Sequence, residues 1–287
     1  MKFHLPIFLI LIMGLVFISC KDKCDDVDKP EKRSIEFGFE TELDDWETLG
    51  GGGERYQDSD IEISSEIASK GTKSCKFTVT PDSYVNGGSR AELSFDQYVY
   101  EGDESWYQWS FFIPTDYPDV LLEAEDGSPN WQAIGQWHQQ PVTCAGEDWD
   151  NFEGAGLSPP VAVYYNYFTT DDPTYVEALN DQEITSLHGF DSQWNNVSAI
   201  TISVGLESVA ISQIRKGEWI NMKFHILWSE TDDGYVEVWK NDTLITDGKV
   251  YKANMLNRAS HYFKFGIYRN YRINNTQVVF YDDVKVW

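Results

Sequence analysis

The sequence predicts an all-β fold, a sandwich or jelly roll in one uninterrupted domain. Short runs of alternating apolar and polar residues, rich in β-branched and aromatic side chains, recur along the chain and are broken by Gly, Asp, Asn and Pro. Aromatic residues make up 15% of the chain, with 11 Trp and 16 Tyr, which suits strands and packed cores. After the first residues no long segment shows the 3.6-residue period of a helix. A length of 287 residues is ordinary for one large all-β domain.

The chain opens with "MKFHLPIFLILIMGLVFISC", a lysine, an apolar run and a small residue before Cys20. This is the order of a secretory signal over residues 1–19, and the apolar run is short for a transmembrane helix. The stretch "FISC" resembles the lipobox of bacterial lipoproteins, with Phe17 where leucine is usual. That resemblance implies lipidation of Cys20 and a lipid anchor in the cell envelope, at the outer membrane, facing the periplasm or the exterior. Residues 20–33 are charged and almost free of apolar side chains, so they are expected to be a flexible tether to a domain spanning 34–287. Cys24, Cys75 and Cys144 remain, an odd number for an oxidising compartment. One disulfide, most simply Cys75 with Cys144, is possible, the pairing of Cys24, Cys75 and Cys144 staying open, and no spacing matches a zinc site.

From Ser34 the strand signature recurs in "SIEFGFE", "KSCKFTVT", "SRAELSFD", "SWYQWSFFIP", "WQAIGQWHQQP", "EWINMKFHILWS", "GYVEVWKND", "HYFKFGIYR" and "QVVFYDDVKVW". Residues 139–160 are turn-rich and longer than an ordinary connection, as functional loops often are. Residues 169–198 look similar, with a short helical turn expected near "TYVEALND".

The formal net charge is -25, which argues against nucleic acid as partner. No cluster of Lys and Arg appears, so a dense sulfated polyanion is disfavoured as well.

Reading every second residue shows what each strand face carries. In "SRAELSFD" the residues Ala91, Leu93 and Phe95 form a core face, opposite Arg90, Glu92, Ser94 and Asp96. In "WQAIGQWHQQP" Gln136 and His138 share a face with Ile134, and Trp137 lies opposite. In "HYFKFGIYR" Phe263, Phe265 and Ile267 face the core, while Tyr262, Lys264, Gly266 and Tyr268 face away. With all three strands in one sheet, a single polar surface holds Arg90, Gln136, His138, Lys264 and Tyr268, and Gly266 leaves room for a ligand to approach. Taken singly, Arg90 with Glu92 reads equally as a surface charge pair and His138 as a structural histidine. Together, an Arg, a carboxamide, an imidazole and a phenol form a set that catalysis can use.

"SRAEL", "YQWSFFIP", "GQWHQQP", "YFKFGIYR" and "FYDDVKVW", in that order, resemble the polysaccharide lyases of the heparin lyase I and glucuronan lyase group, and the three-strand arrangement is similar to that of jelly-roll alginate lyases. The resemblance spans most of residues 34–287. It implies a β-jelly roll, a concanavalin-like sandwich of two antiparallel sheets, that grips an acidic polysaccharide and cleaves it by β-elimination across C4 and C5 of a uronate. By this resemblance Arg90 and Gln136 hold the uronate carboxylate, His138 is the base or assists it, and Tyr268 protonates the leaving oxygen. Lys264, Glu92, Tyr262 and Arg269 contact the substrate. The chemistry agrees, because removing the C5 proton builds charge on a carboxylate that Arg90 and Gln136 would stabilise.

An unsulfated uronan such as glucuronan or alginate suits the acidic chain. Trp106, Trp131 and Trp149 are candidate sugar-stacking residues, whereas Trp109 and Trp137 fall on core-phase positions. His188, His225 and His261 have no clear catalytic context, although His188 sits in a loop-like stretch. No cofactor is required; a structural calcium ion, as in some relatives, would draw on Glu40, Asp282 or Asp283. A monomer is expected. The alternatives are a noncatalytic carbohydrate-binding jelly roll and a glycoside hydrolase, for which "ETELDDWE" is the nearest carboxylate pair.

Overall fold

The computed structural model describes residue 32 and residues 34–48, 51–152, 158–169, 187–188 and 196–287. The signal, Cys20, most of the tether and the stretch "TYVEALND" lie outside the described residues. In chain order the strands are β1 (Ile35–Phe37), β2 (Gly51–Glu54), β3 (Ile61–Ser64), β4 (Ser74–Val79), β5 (Tyr84–Val85) and β6 (Gly88–Val99). There follow β7 (Glu104–Phe112), β8 (Gln132–Gln139), β9 (Val161–Thr169), β10 (Leu187–His188), β11 (Asn196–Val204) and β12 (Glu207–Gln213). The last are β13 (Trp219–Leu227), β14 (Tyr235–Lys240), β15 (Thr243–Leu244), β16 (Val250–Tyr251), β17 (His261–Arg269) and β18 (Gln277–Val286). Helix is limited, among the described residues, to α1 (Asp44–Thr48) and two single 3₁₀ turns.

The strands form two nine-stranded sheets packed face to face, a β-jelly-roll sandwich. One sheet has the order β10-β12-β11-β9-β8-β17-β6-β2, with β5 beside β6. The other runs β15-β14-β13-β7-β18-β4-β3, with β1 on β18 and β16 on β14. Pairing is antiparallel except between β10 and β12. His188, expected in a loop, therefore lies in a short edge strand opposite Ser212.

Between the sheets the core is aromatic. Ala91, Leu93, Phe95, Trp137, Phe263 and Phe265 meet Tyr107, Trp109, Phe111, Phe224 and Tyr281 from the opposite layer. Trp109 stacks on Phe224 at 5.1 Å, and Trp137 packs on Phe263 at 5.0 Å. Each such ring contributes roughly 1.5–3 kcal/mol by leaving water. Trp46 of α1 fills the end of this core against Phe37, Phe39, Phe95 and Phe265. The short helix is thus held by one buried side chain, and the acidic residues around it stay outside.

Two bulges set which residues leave the core. Against β9, the register of β8 shifts between Ala133 and Gly135, and against β8, that of β17 shifts between Phe265 and Tyr268. Ile134 consequently turns into the core with Trp137, whereas simple alternation put it beside Gln136 and His138. Gly266 adopts φ +135°, and a Cβ there would sit 2.3 Å from the Ala91 carbonyl and 2.9 Å from the Phe77 ring. Its missing side chain therefore serves the close approach of β17 to β6 and the core, and not the entry of a ligand. The Tyr281 hydroxyl, fully buried, donates to Ile134 O at 2.6 Å and Gly266 O at 2.9 Å, one carbonyl from each bulge.

The Cys75–Cys144 disulfide, the simplest of the open pairings, does not form. Cys75 is free and buried in the core, and Cys144 is disulfide-bonded elsewhere. Cys75 points inward on β4 because it alternates with Lys76, and this takes it away from the surface loop of Cys144.

Replacing Tyr281 by Phe keeps the ring packing and leaves two buried carbonyls without that donor. Urea unfolding should show a loss of roughly 1–3 kcal/mol, larger than for a surface Tyr→Phe change. No measurable loss would mean the bulges do not depend on this hydroxyl.

Candidate active site

The face of β6, β8 and β17 that turns away from the core carries the site. Cross-strand register sets Tyr268 opposite Arg90 on β6 and Ala133 on β8, and sets Lys264 opposite Gln136. The sheet edge brings in Glu54, the last residue of β2, beside Glu92.

Four charges are packed there. Glu54 accepts from Arg90 at 2.6 Å with one oxygen and from Lys264 at 2.7 Å with the other. Beneath them Glu92 lies 3.6 Å from the Arg90 guanidinium and accepts a hydrogen bond from the Gln136 amide. Arg90, Glu92 and Lys264 are all buried, so the reading of Arg90 and Glu92 as a surface charge pair does not hold. Burial alone would push Glu54 up, but Lys264 and Arg90 outweigh it and hold the carboxyl below its ordinary value. Burial dominates at Glu92, whose carboxyl is raised in spite of Lys264 and Arg90.

This cluster fixes the groups around it. The Arg90 guanidinium lies over the Tyr268 ring, 3.9 Å from its centroid, and Trp131 meets the same ring edge-on at 4.6 Å. Gln136 has one amide N–H committed to Glu92, and its Oε1 has no partner among the described residues. The His138 Nδ1 faces the Gln139 carbonyl at 2.8 Å. A carbonyl only accepts, so Nδ1 carries the proton and Nε2 is left with its lone pair. Burial pushes His138 down to about 4, with Lys264 and Arg90 adding to the effect against the pull of the Gln139 carbonyl. The Tyr268 hydroxyl is raised by burial, although Arg90 lowers it, so it keeps its proton at neutral pH. An acceptor and a donor thus share one surface.

Arg90, Gln136, His138 and Tyr268 line a cleft of about 930 Å³. The residues assigned to substrate contact stand elsewhere. Lys264, Glu92 and Tyr262 are buried behind the lining, where Lys264 and Glu92 hold the ion cluster and Tyr262 packs near Tyr98 and His138. Arg269 is fully buried on the other face of β17, where it donates to Ser89 Oγ, Thr80 O and Asn275 O. Its phase, opposite to Tyr268, takes it out of the cleft. Trp106 also lies elsewhere, on the outer face of the second sheet, stacked on His225 at 3.9 Å. His225 is engaged there by Glu104 and Glu237, and His261 is buried against the Ala259 carbonyl. Trp131 lines the cleft and exposed Trp149 stands 6.0 Å from the His138 ring, while Trp109 and Trp137 are core residues.

The cleft also contains residues not anticipated. Tyr164 and Asn166 rise from β9, Thr201 from β11 and Ser208 from β12. Alternate reading of "VAVYYNYF" would have found Tyr164 and Asn166, opposite Val161, Val163 and Tyr165. Glu54 follows four glycines in "GGGGER" and has no local signal of its partners.

The carboxylates considered for calcium are occupied. Glu40 accepts from Thr72 and Lys73, and Asp282 from the backbone of Ser69, Lys70 and Asp283. Among the described residues no three His, Cys, Asp or Glu side chains come together. Glu40 is also tied to that loop and Trp46 to the core, which removes "ETELDDWE" from the cleft.

The family model for polysaccharide lyases matches residues 40–285. The chain belongs to the polysaccharide lyase family. No curated protein sequence matches it. Among solved structures this family member is similar to an endo-β-1,4-glucuronan lyase from the fungus Trichoderma reesei, at 17% identity and a TM-score of 0.56, covering 89% of this chain and 95% of that one. It is similar to an alginate lyase in complex with alginate trisaccharide, at 12% identity and a TM-score of 0.51, covering 88% and 97%. A β-glucanase catalytic domain from Podospora anserina shares the fold at 12% identity and a TM-score of 0.50, covering 86% and 91%. At these identities the likeness is one of fold.

His138 should remain neutral from pH 8 down to about 4, two and a half units below the ordinary 6.5. Titration of its ring protons by NMR tests this, and a midpoint near 6.5 would contradict the buried, Nδ1-protonated ring.

Proposed function

We propose that this family member cleaves a uronate-containing polysaccharide by β-elimination and leaves an unsaturated uronate at the new end. The observation that carries the reading is the neutral His138, with Nε2 as acceptor, in one cleft with the protonated Tyr268 and the Arg90 guanidinium.

With a uronate over Arg90, His138 Nε2 takes the C5 proton, and the electron pair of that bond forms the C4–C5 double bond as the C4–oxygen bond breaks. Charge develops on the carboxylate during proton removal. The Arg90 guanidinium and the second N–H of Gln136 stabilise it, held in advance by Glu54 and Glu92 so that little reorganisation is required. Tyr268 gives its proton to the departing oxygen. Both groups rise from the same face of one sheet. In glucuronate and mannuronate the C5 hydrogen and C4 oxygen lie on the same side of the ring, which suits that placement; guluronate and iduronate would need groups on opposite sides.

The two lyase relatives are named for glucuronan and alginate, which supports an acidic, unsulfated polymer. The N-terminal signal and Cys20 support a lipid-anchored place in the cell envelope, where such polymers are met.

Incubation with glucuronan, alginate, hyaluronan, chondroitin and heparin should yield an ultraviolet-absorbing unsaturated product from at least one unsulfated uronan. Tyr268→Phe and His138→Ala should each lower turnover about a hundredfold or more, with unfolding midpoints near that of the parent. Binding without product from any uronan would favour a carbohydrate-binding protein instead. Near-normal turnover in either variant would remove that residue from the mechanism.

A further inference from the structure

The positive charge of the cleft is confined to one end. Of the residues that line it, Arg90 and Glu123 carry charge at neutral pH, His138 being neutral. Arg90 is already paired with Glu54, as is Lys264 behind it.

The rest of the cleft crosses β8, β9, β11 and β12, and here the sequence is decisive. From Ala91 through Ile214 the chain contains no lysine and no arginine. That span includes those four strands and every connection between them, so none of these elements can add a permanent cation. Lys216 and Arg272 are committed to Asp119 and Asp126.

What this part of the cleft offers is neutral polarity. Tyr164 and Ser208 present hydroxyls, and the Asn166 amide donates to Thr201 Oγ1 at 2.6 Å, leaving Asn166 Oδ1 to accept. Sugar hydroxyls both donate and accept, and match this set. From β17 to β12 the sheet spans roughly 19 Å at ordinary strand spacing, enough for more than one sugar ring. A carboxylate lying there would leave water without gaining a cation, in a protein of net charge -25.

We propose that the polymer cleaved here is mixed: the ring over Arg90 and Tyr268 is a uronate, and the rings over β9, β11 and β12 are neutral sugars. The identity of the charged ring rests on the lyase reading above; the neutrality of its neighbours rests on the missing cations. An all-uronate polymer would place an unpaired carboxylate at each remote position and be the poorer substrate.

The test compares two synthetic oligosaccharides of equal length, one made wholly of glucuronate and one with a central glucuronate between neutral glucose rings. The kcat/KM for the mixed oligosaccharide should be at least about tenfold higher, and equal or better cleavage of the all-glucuronate one would overturn the proposal. Ser208→Lys, at an exposed position of β12, should raise the rate on the all-uronate substrate relative to the mixed one about fivefold, the worth of one exposed ion pair. An unchanged ratio would count against the assignment. Should neither oligosaccharide give unsaturated product, the lyase reading fails, and calorimetric binding of the same two compounds then decides this inference. Tighter binding of the mixed compound supports it and tighter binding of the all-uronate compound overturns it.

Discussion

Two cations and two carboxylates share a buried patch, and the cleft depends on their pairing. Charges held away from water must be paired, so Arg90 and Lys264 have to meet Glu54 and Glu92 from three different strands. A register slip of one residue would turn one member of each pair into the aromatic core. The cluster thereby specifies how β2, β6 and β17 align. It also sets the surface of the cleft: Arg90 lies over Tyr268, and Glu92 holds Gln136.

The bulges add a second constraint. Regular strands would send Ile134 toward the cleft, whereas the bulged pair sets Tyr268 opposite Ala133. One extra residue on each strand breaks the pairing locally, and the Ile134 and Gly266 carbonyls share the one hydroxyl proton of Tyr281 from the other sheet. Core and cleft are therefore coupled through Tyr281. Packing on one side of the sheet positions Tyr268 on the other.

Much of this was legible in the sequence, because alternation is a direct image of a half-buried sheet. The core faces of β6 and β17, and the shared cleft of Arg90, Gln136, His138 and Tyr268, follow from reading every second residue. Ile134 and Gly266 were misread because a bulge breaks the period without a local mark. Arg269 and Trp106 were misassigned for another reason: an Arg or Trp looks alike in sequence whether it lines a cleft, ties loop carbonyls or covers an outer face. Glu54 went unseen because its partners are distant along the chain, and only the fold brings β2 to the edge of β6. The same holds for Cys75, whose inward phase on β4 excludes a bond that cysteine counting favoured.

The cluster also accounts for the uneven electrostatics of the cleft. Its cations are consumed in positioning, so Arg90 is the one cation among the lining residues, and the rest of that lining is uncharged apart from Glu123. The most direct test of the whole arrangement is the crystal structure of the Tyr268→Phe variant with a bound uronate oligosaccharide. The account predicts the uronate carboxylate on Arg90 and Gln136, with C5 facing His138 Nε2. A carboxylate bound away from Arg90, or a sugar whose C5 faces no side chain able to accept a proton, would contradict it.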